Sequence, residues 1–284
     1  MYRTMALAGV LLWPAVAGVL LWSGATAAGE FAVAGRQLVL SPPSGYCALG
    51  GDRADEADLI DRLRAGNAGR NRVLLAYARC DELERWRAGG ERVLLHHGHV
   101  LTALTGGKEV PLDGTSRGAF ITHLERSVPK LDRDALRNAV NKAVEGAGLG
   151  QLAHFKQGIA GKDDNALHVA SLEVFETGGR ETAVAGMTSI TLLKGLVISA
   201  NLYRPFETEA SFEPLLADAR ATAAAMVAAN PESVLAAAPA SPVPDTPPRS
   251  WLGWVGVVAA LGLLAAVPIL RRRGASSRED PPCT

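Results

Sequence analysis

The chain has 284 residues with 29 basic and 29 acidic side chains, so its formal net charge at pH 7 is zero. Residues 28–250 hold 24 basic and 27 acidic side chains, which gives this part a net charge of about −3. Only 5% of the residues are aromatic. A nearly neutral chain with few aromatic rings lacks the basic patch and the stacking platform of nucleic-acid-binding proteins, so we expect no nucleic-acid partner.

Residues 1–27 have the pattern of a secretory signal peptide. Arg3 supplies the positive start, residues 6–22 form the apolar run, and an A-x-A pattern ends at Ala27. We therefore predict cleavage after Ala27. Because the apolar run is long for a signal peptide, an uncleaved second anchor is the alternative; in both cases the domain that follows is exported.

The next hundred residues predict alternating strands and helices. The first strand is residues 36–40, and it ends at prolines that cannot continue a central ladder. Helical patterns end with glycines, and apolar runs between them predict strands. The predicted elements are a helix from Asp52 or Asp55 to about Ala65, a strand over 73–78, a short helix over 81–88 and a strand over 93–104 interrupted near Gly98.

Two helices and a loop are predicted next. Ser116 caps the first helix, in which Phe120, Leu124 and Val128 recur on one face. A second helix is predicted from Asp132 to Gly146. The glycine-rich run 146–161 then predicts a loop.

Three apolar runs over 167–175, 182–193 and 196–203 are separated only by short glycine-containing turns. Glycine supplies the positive φ that tight hairpins require, so these runs predict an antiparallel meander. A closing helix capped by Ser211 is predicted to pack an apolar stripe on this meander and to end at Asn230.

The C-terminal region has the pattern of a membrane anchor. Residues 231–250 are rich in proline and alanine and predict an extended linker. Residues 251–270 carry no charge and are long enough to span a bilayer as a transmembrane helix. Arg271, Arg272 and Arg273 follow, which places the basic tail 271–284 in the cytoplasm and residues 28–230 outside. A sorting signal cut by a membrane protease is an alternative for this region.

Two cysteines lie in the exported part. An even pair, Cys47 and Cys80, in an oxidising compartment predicts a disulfide bond. Two buried free thiols are the alternative. Cys283 lies in the predicted cytoplasmic tail.

His97 and His99 are the strongest candidates for metal binding, because alternate residues of a strand share one face. With Asp163 or Asp164 they would serve a metal-assisted hydrolase. No second ligand pattern lies nearby in sequence, so we favour an exposed strand edge or turn for the two histidines. His154 and His168 are isolated and are interpreted as surface or core residues.

The sequence "SPPSGYC", the meander "TAVAGMTSITLLKGLVISANLYRP" and the helix "SFEPLLADARATAAAMVAA" together resemble the Mog1/PsbP-like fold. The resemblance covers residues 31–230 and implies an α+β domain with helices on both faces of an antiparallel sheet. Many members of that group are binding or assembly factors. The two helices predicted between Ser116 and Gly146 depart from the pattern, and no functional residue carries over.

We therefore expect an α+β domain, tethered by a C-terminal transmembrane helix in an inner membrane, that binds an envelope protein. We expect neither a catalytic residue nor a cofactor, since the chain lacks nucleophile-elbow, phosphate-loop and dinucleotide motifs. The metal-assisted hydrolase is the alternative function.

Overall fold

The computed structural model describes residues 28–90, 93–128, 151–177 and 180–232. Within them the chain is an α+β domain with an antiparallel sheet, as the sequence predicts. None of the described helices combines the length and the apolar character needed to cross a bilayer. The predicted signal peptide, the second helix at 132–146, most of the linker, the span at 251–270 and the basic tail lie outside the described residues.

The described strands form a hairpin and a separate seven-stranded sheet. The hairpin consists of β1 (Gly29–Val33) and β2 (Arg36–Leu40). The sheet has the order β3-β4-β5-β9-β8-β7-β6, with all neighbours antiparallel. Its strands are β3 (Tyr46–Ala48), β4 (Asn71–Arg79), β5 (His97–Ala103), β6 (Gln151–Lys162), β7 (Leu167–Thr177), β8 (Arg180–Leu193) and β9 (Leu196–Pro205).

Helices pack on both faces of this sheet. They are α1 (Ala54–Asn67), α2 (Cys80–Arg87), α3 (Arg117–Ser127) and α4 (Phe212–Ala229). Apolar side chains of α1, α2 and α3 join the clusters on the face that carries Tyr203 and Val197, which we call the α3 face. The opposite face, the α4 face, carries Leu202 and Ile198 and is covered by α4 and the β1–β2 hairpin.

The strand predicted over 93–104 is shorter than expected and has no interruption. β5 begins at His97 and pairs continuously with β9 through Gly98. A Cβ at Gly98 would lie about 3.0 Å from Cζ of Tyr77, whose ring covers this position and whose hydroxyl donates to Asn201 O at 2.9 Å. Gly98 therefore admits a neighbouring ring and does not break the strand.

The loop predicted over 146–161 is wrong for residues 151–161, which belong to β6. In the described sheet this strand is the last in the order and pairs only with β7, and edge strands carry more exposed and polar residues than central strands do. A glycine weakens a strand because it has no side chain to pack and because its backbone loses more entropy on folding than that of other residues. An edge strand with two irregularities in its register tolerates them.

The predicted meander is confirmed. β8 and β9 join through Lys194 and Gly195, which have φ of 49° and 75°. The stripe of α4, including Leu215, Ala219 and Met226, packs on the α4 face as expected. At the end of α4, Asn230 accepts from Val39 N at 2.9 Å and donates to Val39 O at 2.7 Å, which ties the helix to the hairpin.

Candidate functional site

Buried polar side chains gather on the α3 face of the four central strands. Backbone pairing aligns His97 with Tyr203, Gly186 and Ser171 across β5, β9, β8 and β7. Directly opposed residues of neighbouring strands share a face. We call the set the polar row; its members are His97, His99, Ser171, Glu173, Thr188, Asn201 and Tyr203, all of them buried.

The two histidines lie inside the sheet, so their interpretation as an exposed strand edge or turn is wrong. β5 lies between β4 and β9, and the exposed fraction is 7% for His97 and 0% for His99. Nδ1 of His97 bonds to Leu94 O at 3.1 Å. Both ring nitrogens of His99 are buried and have no hydrogen-bond partner among the described residues.

The arrangement of rings gives little support for a shared metal ion. Each imidazole stacks on Tyr203, with ring centroids 5.3 Å away for His97 and 5.8 Å for His99. A zinc site takes three or four protein ligands, and the two imidazoles would supply at most two of them. In the described part of the chain, no group of three or more His, Cys, Asp or Glu side chains could hold a metal ion.

Asp163 and Asp164 do not join the histidines. They lie in the turn between β6 and β7, and Asp163 accepts from the backbone N–H of Asn165 and Ala166 at 2.8 and 3.0 Å. Both line a pocket of about 550 Å³ at the start of α3. Its cations already have partners, because Lys162 bonds to Glu125 at 2.5 Å and Arg117 to Glu232 at 3.1 Å.

Burial shifts the pKa values of three members of the polar row. Burial, with a smaller contribution from His97, lowers the pKa of His99 to about 3, so its imidazole is neutral. Burial raises the pKa of Glu173 well above its ordinary value, although a hydrogen bond from Ser171 opposes the shift. Burial also raises the pKa of Tyr203. In His99, Glu173 and Tyr203, burial therefore favours the uncharged forms.

Gly186 creates the room that two members of the row occupy. A Cβ at this position would lie 3.1 Å from Cε1 of Tyr203 and would clash with Oγ of Ser171. Ser171 Oγ donates to Oε1 of Glu173 at 3.0 Å, while Oε2 of Glu173 is buried and has no partner in the part of the chain that the structure describes. A glycine inside a strand was the available sequence signal for this close approach.

On the α4 face, the structure assembles a serine, a histidine and an aspartate that sequence spacing did not reveal. Nδ1 of His168 is 2.8 Å from Oγ of Ser189, and Nε2 is 3.0 Å from Oδ2 of Asp163. Ser189 is fully buried and donates to Ala219 O of α4 at 3.3 Å. Of the two roles expected for His168, surface or core, the structure shows a buried residue with both ring nitrogens bonded, and the chain of bonds joins α4 to the β6–β7 turn.

This geometry is unsuited to nucleophilic catalysis. A serine nucleophile must reach a substrate carbonyl beside an oxyanion hole, whereas α4 covers Ser189. Burial lowers the pKa of His168, opposed by Asp163. The pKa of Asp163 is also lowered: burial would raise it, but the bond from His168 and the two backbone N–H groups outweigh that effect.

The predicted disulfide bond is confirmed. Cys47 of β3 and Cys80 at the start of α2 are bonded, with their Cα atoms 4.9 Å apart. The alternative of two buried free thiols is therefore wrong. The bond fixes the short edge strand β3 to the first turn of α2.

No protein-family model matches the chain, and neither does a curated protein or a solved structure. The resemblance to the Mog1/PsbP-like fold stays a prediction.

Proposed function

We propose that residues 28–230 form an exported domain that binds or helps to assemble an envelope protein, held at the inner membrane by the predicted span at 251–270. The observation that carries the proposal is the Cys47–Cys80 bond, because structural disulfides persist in oxidising compartments. The predicted signal peptide and the arginines at 271–273 favour the same location.

The polar chemistry of the domain favours binding over catalysis. Ser189 is covered by α4, and the imidazoles of His97 and His99 stack on Tyr203. Ser189 joins the sheet to α4, and the two imidazoles pack on a ring of the neighbouring strand β9. A linker and a membrane span would also raise the effective concentration of the domain near a membrane-bound partner, which benefits binding more than turnover of a diffusing substrate.

The proposal is tested by in vivo cross-linking of the full-length chain, followed by purification and identification of the captured envelope protein. We expect one partner to be captured reproducibly. A matched chain in which an unrelated single-pass helix replaces 251–270 should still capture it, and a chain released from the membrane should capture much less. Equal capture by the released chain would contradict the role of the tether.

Two measurements on the same purified chain distinguish binding from hydrolysis. Labelling by a fluorophosphonate probe that disappears in Ser189→Ala would favour a serine hydrolase. A stoichiometric transition metal that is lost in His97→Ala and His99→Ala would favour the metal-assisted hydrolase. The binding proposal predicts neither result.

A further inference from the structure

The last strand of the described sheet, β6, has a free edge. Within the residues that the structure describes, β6 pairs with β7 alone, so the backbone N–H and C=O groups on its other side have no strand partner. Such an edge can pair with a strand of another chain, and proteins usually make it short. β6 is instead twelve residues long, and its register with β7 is regular from His154 to Ile159. The strand is therefore suited to pair with a further strand.

The exposure of residues along β6 shows that this edge is accessible. Gly158, Ile159 and Ala160 are three consecutive exposed residues, whereas the side chains of a strand covered on one face alternate between buried and exposed. Ile159 is 39% exposed, which is unusual for a large hydrophobic side chain in the described domain. Gly158 has no side chain and Ala160 has only a methyl group. A second backbone can therefore approach the middle of β6 closely.

The basic residues of β6 select one register for a second copy of the same strand. Two identical strands pair antiparallel about a two-fold axis perpendicular to the sheet, so one residue lies on the axis and its neighbours oppose each other across it. The strand carries His154, Lys156 and Lys162. Of the axis positions from 155 to 159, every one except Gln157 opposes two of these basic side chains. Like charges that are directly opposed destabilise a strand pair, so the axis at Gln157 is favoured.

The same register brings apolar side chains together. Phe155 of each copy opposes Ile159 of the other, which forms two pairs between an aromatic and a β-branched side chain, and such pairs stabilise antiparallel strands. Ile159 pairs with Val169 of β7, a member of the cluster under α3, so these contacts extend the α3 face. Lys156 opposes Gly158 on the other face, where its ammonium group stays in solvent. The half-buried Phe155 and the exposed Ile159 both lose contact with water.

We propose that two copies of this chain dimerise through β6, with Gln157 on the two-fold axis, and that their sheets join into one continuous antiparallel sheet. A two-fold contact of this kind uses the same strand on both copies and closes without exposing a new edge of β6. The inference goes beyond the proposed binding of an envelope protein and does not depend on it, because the contact uses only described residues of β6.

Engineered cysteines test the register. Gln157→Cys and His154→Cys are each introduced into the full-length chain with Cys283→Ser, so that each variant has one free thiol beside the Cys47–Cys80 bond. Opposed Cα atoms at the axis lie about 4.5–5.5 Å apart, within the range of a disulfide, whereas the two copies of residue 154 lie about 20 Å apart along the strands.

Membranes that contain each variant are treated with a mild oxidant and analysed on non-reducing gels. We expect a covalent dimer of Gln157→Cys and a monomer of His154→Cys. Three results would overturn the proposal: no dimer of Gln157→Cys, equal dimer formation by both variants, or cross-linking of Gln157→Cys to a different envelope protein in place of a second copy.

A charge on the edge tests the contact without a cross-link. Sedimentation equilibrium of the full-length parent in detergent micelles should show a dimer. Ile159→Lys should raise its dissociation constant about tenfold or more, because each dimer contains the substitution twice and loses both apolar pairs. Leu95→Lys, on a residue that is 49% exposed and lies outside β6, is the matched control and should dimerise as the parent does. A parent that stays monomeric, or an Ile159→Lys variant that dimerises as the parent does, would overturn the proposal.

Discussion

The imidazole of His99 is fully buried and has no hydrogen-bond partner among the described residues. The stability of the folded domain should therefore be sensitive to acid. Its pKa is about 3 in the folded state and about 6.5 in a model peptide, so the folded state resists protonation. A depressed pKa means that the stabilisation is complete above about pH 6.5 and is lost as the pH falls toward 3. His97 and Tyr203, the neighbouring rings, supply no carboxylate that would hold an imidazolium.

We predict that the unfolding free energy of His99→Leu falls less than that of the parent as the pH is lowered. Between pH 6.5 and pH 5 the parent should lose about 2 kcal/mol of unfolding free energy through this histidine, and the variant should not. Urea unfolding at several pH values measures the difference. His154→Leu, on an exposed residue of β6, is the control and should keep the slope of the parent.

Glu173 has the opposite pH dependence. Its pKa is raised by burial, so its contribution to stability is full below about pH 4.5 and is lost as the pH rises through the folded pKa. We predict that Glu173→Gln raises the unfolding free energy at pH 8 by about 1–3 kcal/mol and changes it little at pH 4.5. Urea unfolding at both pH values measures this. If Glu173→Gln were less stable than the parent at pH 8, the charged carboxylate of Glu173 would have to be stabilised by other groups in the folded state.

At the scale of elements, the disulfide bond holds a strand too short to be stable by pairing alone. β3 has three residues and pairs only with β4 within the described sheet. Cys47 and Cys80 are 33 positions apart, and closing a loop of this length stabilises a fold by about 4 kcal/mol in the chain-entropy treatment.

We predict that Cys47→Ala combined with Cys80→Ala lowers the unfolding free energy by about 4 kcal/mol, measured by urea unfolding under oxidising conditions. Cys283→Ser, which leaves the bond intact, should match the parent. Added reductant should destabilise the parent and Cys283→Ser but leave the double variant unchanged. If reductant had no effect on the parent, the bond would contribute no stability.

The elements that could be predicted from sequence are those in which apolar residues recur with a clear period. The meander and α4 have long apolar patterns and clear turns, and both were predicted. β6 was missed because an edge strand tolerates glycine and exposes alternate residues, so its pattern resembles a loop. β3 was missed because a strand of three residues carries too few positions for a period. β1 was missed although β2, its partner of equal length, was predicted.

The polar row could be predicted only in part. His97 and His99 were found by their spacing on one strand, but their burial depends on β4 and β9, which flank them in the sheet. His97 and Tyr203 meet through the register of β5 and β9, and Ser189 meets His168 through that of β7 and β8. Register is set by pairing between distant segments, so sequence spacing carries no direct record of these contacts.

At the scale of the whole molecule, the proposed function depends on which side of the membrane the domain occupies. The predicted linker from 231 to 250 would extend over about 60 Å at most, at roughly 3 Å per residue. A partner within that distance of the bilayer would meet the domain at a high effective concentration, and a partner in the cytoplasm would not meet it at all.

We predict that residues 28–250 are outside and that the tail after Arg273 is inside, because basic residues beside a span stay cytoplasmic. A reporter that is active only in the cytoplasm should therefore work when fused after Thr284 and fail when fused after Pro248. Replacing Arg271, Arg272 and Arg273 by serine should reduce the activity of the Thr284 fusion, since it removes the orientation signal while leaving the apolar span unchanged. Activity after Pro248 would place the domain in a reducing compartment, where the Cys47–Cys80 bond would not persist, and both the topology and the proposed envelope partner would then fail together.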